Sequence, residues 1–307
     1  MITLTHVTEA QQFSREGLME LCSAAERMKQ LVREQGCTNT LQNKVMVVLF
    51  YQPSTRTRLS FESAMVRLGG RYVSTESALD FSSHSKGESL EDTIQAVASY
   101  GDVVVLRYHE EGGAERAARV SPVPVINAGD GPGQHPTQAL LDIYTIHNTF
   151  QRIDGLKIAL VGDLKHGRTV HSLAYMLGKF AIARIYLVSP SKVGMPGELV
   201  EYLQRHRIDY AIHDNLLPIA HDVDVVYTTR VQREYFDDLS EYQEAYGKYV
   251  LSREVMAELK REAIILHPLP RNDEIPPEVD QDPRARYFEQ VRNGLYMRMA
   301  LLELLLR

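Results

Sequence analysis

The sequence has few cysteines, no block of basic residues and no long apolar run. Cys22 and Cys37 are the only two cysteines among 307 residues, which is too few for a disulfide framework or a thiolate metal site. No apolar run approaches the roughly 20 residues of a membrane span, and the first residues lack the charged, apolar and small-residue order of a signal peptide. We therefore expect a cytoplasmic protein.

The charge balance argues against nucleic acid or a membrane surface as a partner. The chain has 34 basic and 40 acidic side chains, a net charge of −6, and no basic tail. These values are ordinary for a globular enzyme.

Short apolar, β-branched runs alternate with longer helix-like stretches, which is the pattern of parallel βα units. The chain is longer than the roughly 100–150 residues of a typical domain. We therefore predict an α/β fold of two domains, each a mostly parallel sheet flanked by helices. The first covers 1–150 and is completed by a C-terminal helix at about 288–307, and the second covers 151–287. The predicted strands are Val45–Phe50, Val103–Leu106, Val123–Ile126, Lys157–Val161, Asp224–Thr228 and Ala263–Leu266.

Each predicted strand leads directly into polar or cationic residues. In open parallel sheets, ligands bind beyond the carboxyl ends of the strands. Six segments that are distant in sequence are therefore expected to form one cation-rich active site at these strand ends, between the two domains. The segments are Ser54–Arg58, Arg107, His135–Gln138, Arg168, Arg230 and His267–Arg271.

The segment Ser54-Thr55-Arg56-Thr57-Arg58 precedes a predicted helix, Leu59–Leu68, which Gly69-Gly70 closes. Hydroxyls, unpaired backbone N–H groups and a guanidinium at a helix start bind phosphate. The alternative is an ordinary capped helix with solvated arginines, but five such residues in succession favour a phosphate site.

The segment Gly162–Thr169 has the spacing of a P-loop, with a strand before it and a helix after it. Arg168 stands where the P-loop lysine is required, and no later strand ends in the Asp that helps to hold magnesium. An NTPase is therefore a minor alternative. Arg168 serves equally well as a clamp for a carboxylate.

The remaining motifs are ambiguous when each is taken alone. His135 and Gln138 can donate hydrogen bonds to a carbonyl oxygen, yet a lone His before Pro is more often structural. An isolated Arg107 is most often an ion-pair partner. Arg230 and Gln232 lie on the same side of an extended segment. In His267–Arg271 the two prolines leave carbonyl groups free to accept hydrogen bonds.

Taken together, Ser-Thr-Arg-Thr-Arg, His-Pro-Thr-Gln, Arg-Val-Gln and His-Pro-Leu-Pro-Arg, in this order and at these intervals, resemble the aspartate/ornithine carbamoyltransferase family. The resemblance covers essentially the whole chain and is strongest to the catalytic chains of the aspartate enzymes. Ornithine enzymes typically have a Cys in the segment that corresponds to His267–Pro270, where this chain has Pro268. The resemblance implies transfer of a carbamoyl group from carbamoyl phosphate to L-aspartate, the committed carbamoylation of pyrimidine synthesis, without a cofactor or metal.

The resemblance also implies a role for each site residue. Ser54, Thr55, Arg56 and Thr57 hold the phosphate. Thr57, Arg107 and His135 polarise the carbamoyl oxygen. The carbamoyl amide is bound by Gln138 and the backbone of Leu269 and Pro270, and the carboxylates of aspartate by Arg168, Arg230 and Gln232.

The loop Ser82–Glu88 has the composition of a mobile surface loop. The resemblance implies a different role, in which Ser82 and Lys86 enter the active site of a neighbouring chain in a homotrimer. Lys86 then contacts both carbamoyl phosphate and aspartate.

The chain departs from the family pattern at Gln52, where many relatives have a Glu that links to second-domain arginines on closure. The sequence does not determine whether regulatory chains bind the protein. Two other functions stay open as alternatives: carbamoylation of another acceptor such as ornithine, and noncatalytic binding of phosphate metabolites.

Overall fold

The structure is a computed structural model that describes residues 4–78, 87–231 and 249–307. The chain divides into two compact units. The first comprises Met1–Thr145 together with Val291–Arg307, and the second comprises Ile146–Gln290. Both crossings of the chain from one unit to the other occur inside a helix, at Pro136–Phe150 and at Tyr287–Leu306.

The first unit contains a four-stranded parallel sheet in the order β2-β1-β3-β4. The strands β1, β3 and β4 are almost entirely buried, whereas all five residues of the edge strand β2 are exposed. The strands are β1 Val45–Phe50, β2 Arg71–Thr75, β3 Val103–Tyr108 and β4 Val125–Asp130. The flanking helices are α1 Arg15–Gln35, α2 Thr55–Arg67, α3 Leu90–Ala98, α4 Gly113–Val120 and α5 Pro136–Phe150.

The second unit contains a five-stranded parallel sheet in the order β7-β6-β5-β8-β9. The strands are β5 Lys157–Val161, β6 Arg184–Val188, β7 Tyr210–His213, β8 Val225–Thr228 and β9 Ile264–Leu266. The helices are α6 Arg168–Leu177, α7 Gly197–Arg205 and α8 Arg253–Glu258, with 3₁₀ turns at Ser191–Val193, Leu217–Asp222 and Pro277–Gln281. The last helix, α9 Tyr287–Leu306, ends in the first unit.

Local sequence explains where several of these helices begin. Ser14, Ser89 and Ser252 each precede a helix, and each hydroxyl accepts a hydrogen bond from a backbone N–H of the first turn. Such caps satisfy donors that have no partner inside the helix. The strands β1, β3, β5, β6, β8 and β9 consist mainly of β-branched and aliphatic residues, whose side chains fill the cores on the sheet faces.

The two parallel sheets flanked by helices confirm the predicted fold class. Three of the differences from the predicted boundaries affect segments that contain or precede predicted site residues. β3 extends through Tyr108, so that Arg107 lies within the strand. β4 continues through Gly129 and Asp130, where a turn was expected. α2 begins at Thr55 rather than at Leu59.

The strands β2, β6 and β7 are not among the predicted runs. β2 and β7 lie at sheet edges; β2 is exposed and β7 has no fully buried residue, so their sequences do not need the apolar character on which the prediction depended. β6, Arg-Ile-Tyr-Leu-Val, is a buried run of the same kind as the predicted strands. Within the described residues, none of the helices combines the length and the apolar character that a membrane crossing requires.

Candidate active site

The segment Ser54–Arg58 forms the start of helix α2. Ser54 is in the N-cap position with an extended backbone, and its side chain makes no capping hydrogen bond. The helix begins at Thr55, so Arg56 and Thr57 lie in its first turn; Arg56 is exposed and Thr57 is buried. The first N–H groups of the helix and the positive end of its dipole therefore lie among hydroxyls and a guanidinium, which suits a phosphate.

The two arginines of this segment differ in their partners. Arg58 forms ion pairs with Glu62 at 3.8 Å and with Glu76 at 3.4 Å. In the described part of the chain, no residue forms a hydrogen bond or an ion pair with the Arg56 side chain. Desolvation lowers the pKa of Arg56 from its ordinary value, but a guanidinium remains cationic near neutral pH. Arg56 is therefore the arginine available to an anion.

Glu76 fixes the entry to the same helix. Its Oε1 accepts a hydrogen bond from the backbone N–H of Ser54 at 3.0 Å, while its Oε2 pairs with Arg58. One carboxylate thus holds both the residue before the helix and the last arginine of the motif. The sequence analysis did not include Glu76, because it follows an edge strand and belongs to no motif.

Arg107 lies on β3 next to both neighbouring strands. Its backbone carbonyl accepts from Tyr51 N–H at 2.9 Å, and its Nη1 donates to the carbonyl of Ala128 on β4 at 3.2 Å. The side chain is half-buried, which restricts its position. Arg107 is therefore a cation held at the carboxyl end of the sheet rather than a solvated surface residue.

His135 and Gln138 lie at the start of helix α5. His135 is buried, and its carbonyl accepts from the N–H groups of Gln138 and Ala139. The hydroxyl of Thr137 lies 3.3 Å from Nδ1 of His135. Nε2 of Gln138 donates to Oδ1 of Asp142 at 2.9 Å, which directs the amide of Gln138 along the helix. Asp142 was missed from the sequence, although an acidic residue four positions after an amide on a helix is a usable signal.

The strand order places these three segments together at the carboxyl ends of the strands of the first sheet. β1, β3 and β4 are parallel neighbours, so their carboxyl ends face the same way. The phosphate-binding segment follows β1, Arg107 lies at the end of β3, and His135 follows β4. The predicted grouping of these segments thus agrees with the order of the strands.

In the second unit, the segment after β5 is not arranged like a P-loop. Gly162 has φ +112°, and a side chain there would collide with the carbonyl of Thr229. Asp163 is buried, and its Oδ1 accepts from the N–H groups of Lys165 and His166 at 3.1 and 3.0 Å. Backbone N–H groups that would surround a phosphate are thus already bonded to a carboxylate, which disfavours the NTPase alternative.

Arg168 and Arg230 follow neighbouring strands of the second sheet. Arg168 is the first residue of α6, and Arg230 comes two residues after β8; both side chains are half-buried. The two strand ends are linked because Thr229 N–H donates to the carbonyl of Val161 at 2.8 Å. Two guanidinium groups therefore lie at the carboxyl ends of neighbouring strands of this sheet, an arrangement that suits an anionic ligand.

The segment His267–Arg271 forms a tight turn after β9. The Leu269–Pro270 peptide bond is cis, and Leu269 has φ +56°. His267 is buried and contacts Glu274, with 2.9 Å between Nε2 and Oε1. Arg271 pairs with Asp280 and also donates to the hydroxyl of Tyr287. The turn is therefore held on both sides by buried or half-buried polar contacts.

Three predicted site residues, Ser82, Lys86 and Gln232, lie outside the described residues. Gln52, the departure noted from the sequence, is half-buried just before the phosphate-binding segment. Across the described ranges, no group of three or more His, Cys, Asp or Glu side chains has the arrangement of a metal site.

Two family models match the chain almost from end to end. Residues 5–148 match the carbamoyl-P binding domain of aspartate/ornithine carbamoyltransferase, and residues 154–305 match the Asp/Orn binding domain. The chain belongs to the aspartate/ornithine carbamoyltransferase family. The resemblance inferred from the motifs is thereby confirmed.

Individual members of this family are similar over nearly the whole chain. The aspartate carbamoyltransferase catalytic subunit of Methanopyrus kandleri is 51% identical, and the match covers 98% of this chain and 96% of that protein. The chloroplastic aspartate carbamoyltransferase 1 of Pisum sativum is also 51% identical, over 99% of this chain and 79% of that protein.

Solved structures of the family have the same fold. The aspartate transcarbamoylase of Trypanosoma cruzi, in complex with N-(phosphonacetyl)-L-aspartic acid, superposes with a TM-score of 0.94 at 41% identity and covers 99% of this chain and 97% of that chain. The catalytic subunit from Methanocaldococcus jannaschii has a TM-score of 0.92 at 45% identity, over 98% and 97% of the two chains.

Proposed function

We propose that this protein transfers the carbamoyl group of carbamoyl phosphate to the amino group of L-aspartate, forming N-carbamoyl-L-aspartate and phosphate. The proposal rests on the cationic residues at the carboxyl ends of the strands in each sheet. It also rests on relatives that are about half identical over nearly the whole of this chain and are named as aspartate carbamoyltransferases. A related structure from Trypanosoma cruzi has both carbamoyl phosphate and aspartate bound. The family also contains ornithine enzymes, which are the alternative.

The first unit supplies the groups that bind the donor. Ser54, Thr55, Arg56 and Thr57 bind the phosphate at the start of α2, where unpaired N–H groups and the helix dipole add to the charge of the guanidinium. Gln138 binds the carbamoyl amide through its Oε1, since its Nε2 is bonded to Asp142. The donor is thus oriented at both ends.

The reaction requires stabilisation of negative charge rather than a covalent nucleophile. The aspartate nitrogen attacks the carbamoyl carbon, the carbonyl oxygen becomes an oxyanion, and the bond from carbon to the phosphate oxygen then breaks. Thr57, Arg107 and His135 stabilise the oxyanion, as a preorganised set of donors does in acyl transfer. The leaving phosphate accepts the proton from the amine, so that His135 acts as a donor and not as a base.

The second unit supplies the groups that bind the acceptor. Arg168 and Arg230, together with Gln232, bind the two carboxylates of aspartate, because guanidinium groups match carboxylates with two parallel hydrogen bonds. Leu269 and Pro270 offer backbone carbonyls to the carbamoyl amide. Ornithine has one carboxylate and a cationic side chain, so two arginines favour aspartate over ornithine.

We also propose a homotrimer in which Ser82 and Lys86 complete the site of a neighbouring chain. The support is a set of exposed apolar side chains on the first unit, Leu59 and Val66 on α2 and Tyr72 and Val73 on the edge strand β2, which are 40–53% exposed. An edge strand with exposed apolar residues is a surface that another chain covers. In the sequence, Ser82 and Lys86 follow β2. A cytoplasmic location stays a prediction; some plant relatives are named as chloroplastic.

The direct test is product formation from carbamoyl phosphate by the purified protein, with aspartate and ornithine compared as acceptors. Turnover with aspartate alone supports the proposal. Activity with ornithine alone retains the donor site but refutes the acceptor assignment, and no turnover with either refutes the reaction. Arg168→Gln is the control variant: it should still bind carbamoyl phosphate while the KM for aspartate rises by about two orders of magnitude.

A further inference from the structure

The turn Pro268–Pro270 has an unusual balance of hydrogen-bonding groups. Pro268 and Pro270 have no backbone N–H. The N–H of Leu269, which lies between them, donates to Nδ1 of His267 at 2.7 Å. The backbone of this turn therefore has no N–H to offer a ligand and presents only carbonyl oxygens, which accept hydrogen bonds.

His267 can accept this hydrogen bond in only one of its protonation states. Because Nδ1 is the acceptor, the imidazole proton must be on Nε2. Nε2 lies 2.9 Å from Oε1 of Glu274, and both side chains are buried, with 1% and 3% of their surface exposed. Glu274 thus selects the tautomer of His267, as a carboxylate does for other functional histidines.

The contacts of Glu274 extend this arrangement to the residues after the turn. Its Oε1 also accepts from the N–H of Asn272 at 3.0 Å. The backbone N–H of His267 donates to Oε1 of Gln290 at 2.9 Å. Leu269, at φ +56°, has a backbone conformation that L-residues rarely adopt and that the surroundings must hold in place.

We infer that His267 and Glu274 determine the donor specificity of this enzyme by making the Pro268–Pro270 turn a surface of hydrogen-bond acceptors. The inference depends on the proposed function, in which this turn contacts the carbamoyl group. A carbamoyl NH₂ group donates two hydrogen bonds and fits such a surface. An acetyl group has a methyl in the same place, offers no donor, and leaves the carbonyl oxygens unpaired.

The roles of the two residues follow from these contacts. His267 keeps the Leu269 N–H away from the ligand and fixes the direction of the carbonyls, and Glu274 keeps His267 in the required tautomer. Neither side chain has to touch the substrate. They are positioning residues, and their loss should change the choice between two donors rather than the affinity for phosphate.

The experiment measures the dissociation constants of carbamoyl phosphate and acetyl phosphate for the full-length protein by isothermal titration calorimetry. The quantity of interest is the ratio of the two constants, because the two ligands share the phosphate and the carbonyl. His267→Leu removes the acceptor for the Leu269 N–H, and we expect the preference for carbamoyl phosphate to fall about tenfold. His267→Asn can still accept from an N–H two residues later, and should keep most of the preference.

A second pair of variants makes the same comparison through Glu274. Glu274→Leu removes the partner of Nε2 and should lower the preference, whereas Glu274→Gln retains an acceptor and should keep it. If His267→Leu fails to fold, the two Glu274 variants still test the inference. Equal ratios within the Glu274 pair, or a wild-type ratio in His267→Leu, would overturn the inference.

Arg271→Lys is the matched control. It weakens the contacts of the turn with Asp280 and Tyr287 but leaves the Leu269 N–H bonded to His267. A purely structural role for the turn predicts weaker binding of both donors and an unchanged ratio, which is the result expected for this variant. If it lowers the ratio as much as His267→Leu does, the inference is wrong. Failure of the proposed function appears separately, as absence of turnover by the wild-type protein.

Discussion

Gln138 and Asp142 lie one turn apart on α5 and are joined by a hydrogen bond of 2.9 Å from Nε2 to Oδ1. Both side chains are buried. An ionised carboxylate only accepts hydrogen bonds, so the NH₂ end of Gln138 must point toward Asp142 and the oxygen must point away. The orientation of an amide that is proposed to bind substrate is thus set by a residue outside every motif.

Asp142→Asn is expected to weaken the binding of carbamoyl phosphate about five- to tenfold. Asparagine has both a donor and an acceptor, so it no longer fixes the orientation of the Gln138 amide. Calorimetric titration measures the effect, and the phosphate affinity should be unchanged. Unaltered affinity for carbamoyl phosphate would show that Asp142 does not orient Gln138.

The same variant should also be less stable, by about 3 kcal/mol. Arg298 on α9 is buried, and burial lowers the pKa of this residue to about 10, while the charge of Asp142 opposes that change. Loss of the Asp142 charge leaves the buried Arg298 cation with less electrostatic stabilisation. Urea unfolding of Asp142→Asn and of Asp142→Asn/Arg298→Met tests this: the double variant should recover stability but not affinity.

Arg56→Gln and Arg58→Gln form a matched pair in one motif. Arg56 is available to the phosphate, and its loss should lower kcat by about 10²–10³-fold. Arg58 is paired with Glu62 and Glu76, so its loss should reduce stability slightly and kcat by less than about tenfold. Steady-state kinetics and thermal unfolding separate the two. Equal losses of kcat would contradict the assignment.

Lys86→Ala chains mixed with Arg56→Ala chains should regain activity if active sites are shared between chains. Each variant alone should be nearly inactive. In a mixed trimer some sites receive Arg56 from one chain and Lys86 from its neighbour, so both groups are present. The assay follows turnover after dissociation and reassociation of the mixture. No recovery, with trimers shown by light scattering, would refute shared sites.

His135→Gln should lower kcat about 10²-fold while keeping the shape of the pH–rate profile. Glutamine retains a hydrogen-bond donor but does not titrate, and the proposed mechanism assigns the amine proton to the leaving phosphate rather than to His135. The profiles of wild type and variant are compared under saturating substrates. Disappearance of an ionisation from the kcat profile would show that the rate depends on the protonation state of His135, and would contradict this prediction.

The stability of the protein should fall as the pH drops below about 4.5, in part because of Glu274. Burial opposes the ionisation of Glu274, but hydrogen bonds from His267 and Asn272 outweigh it, so its pKa lies below the ordinary value. A depressed pKa in the folded state stabilises the fold above the unfolded pKa, and this contribution is lost as pH falls through the folded pKa.

Urea unfolding from about pH 6 to about pH 3.5 measures this contribution. Glu274→Gln does not titrate, so its free energy of unfolding should decline less steeply over this range than that of the wild type. The variant at Glu278, which is exposed, serves as the control: Glu278→Gln should follow the wild-type curve. Parallel curves for all three proteins would contradict the prediction.

Most of the fold follows from patterns that are local in sequence. Buried parallel strands are continuous apolar runs, and five of the six predicted runs match strands to within two residues at each end. The exception, Val123–Ile126, is displaced because Gly129 and Asp130 extend β4. Edge strands such as Arg71–Thr75 escaped prediction because exposure removes the apolar signal.

The sequence by itself determined the family, the parallel α/β class and the residue types at the strand ends, because motif order and hydrophobic pattern are properties of the chain alone. The tertiary structure decided which of the two arginines Arg56 and Arg58 is paired, which way the Gln138 amide points and which tautomer His267 adopts. Those properties depend on Glu62, Glu76, Asp142 and Glu274, which lie outside the recognised motifs. Folding brings these carboxylates within hydrogen-bonding or ion-pairing distance of their partners. These short-range electrostatic contacts then fix the pairing of the arginine, the orientation of the amide and the tautomer of the histidine.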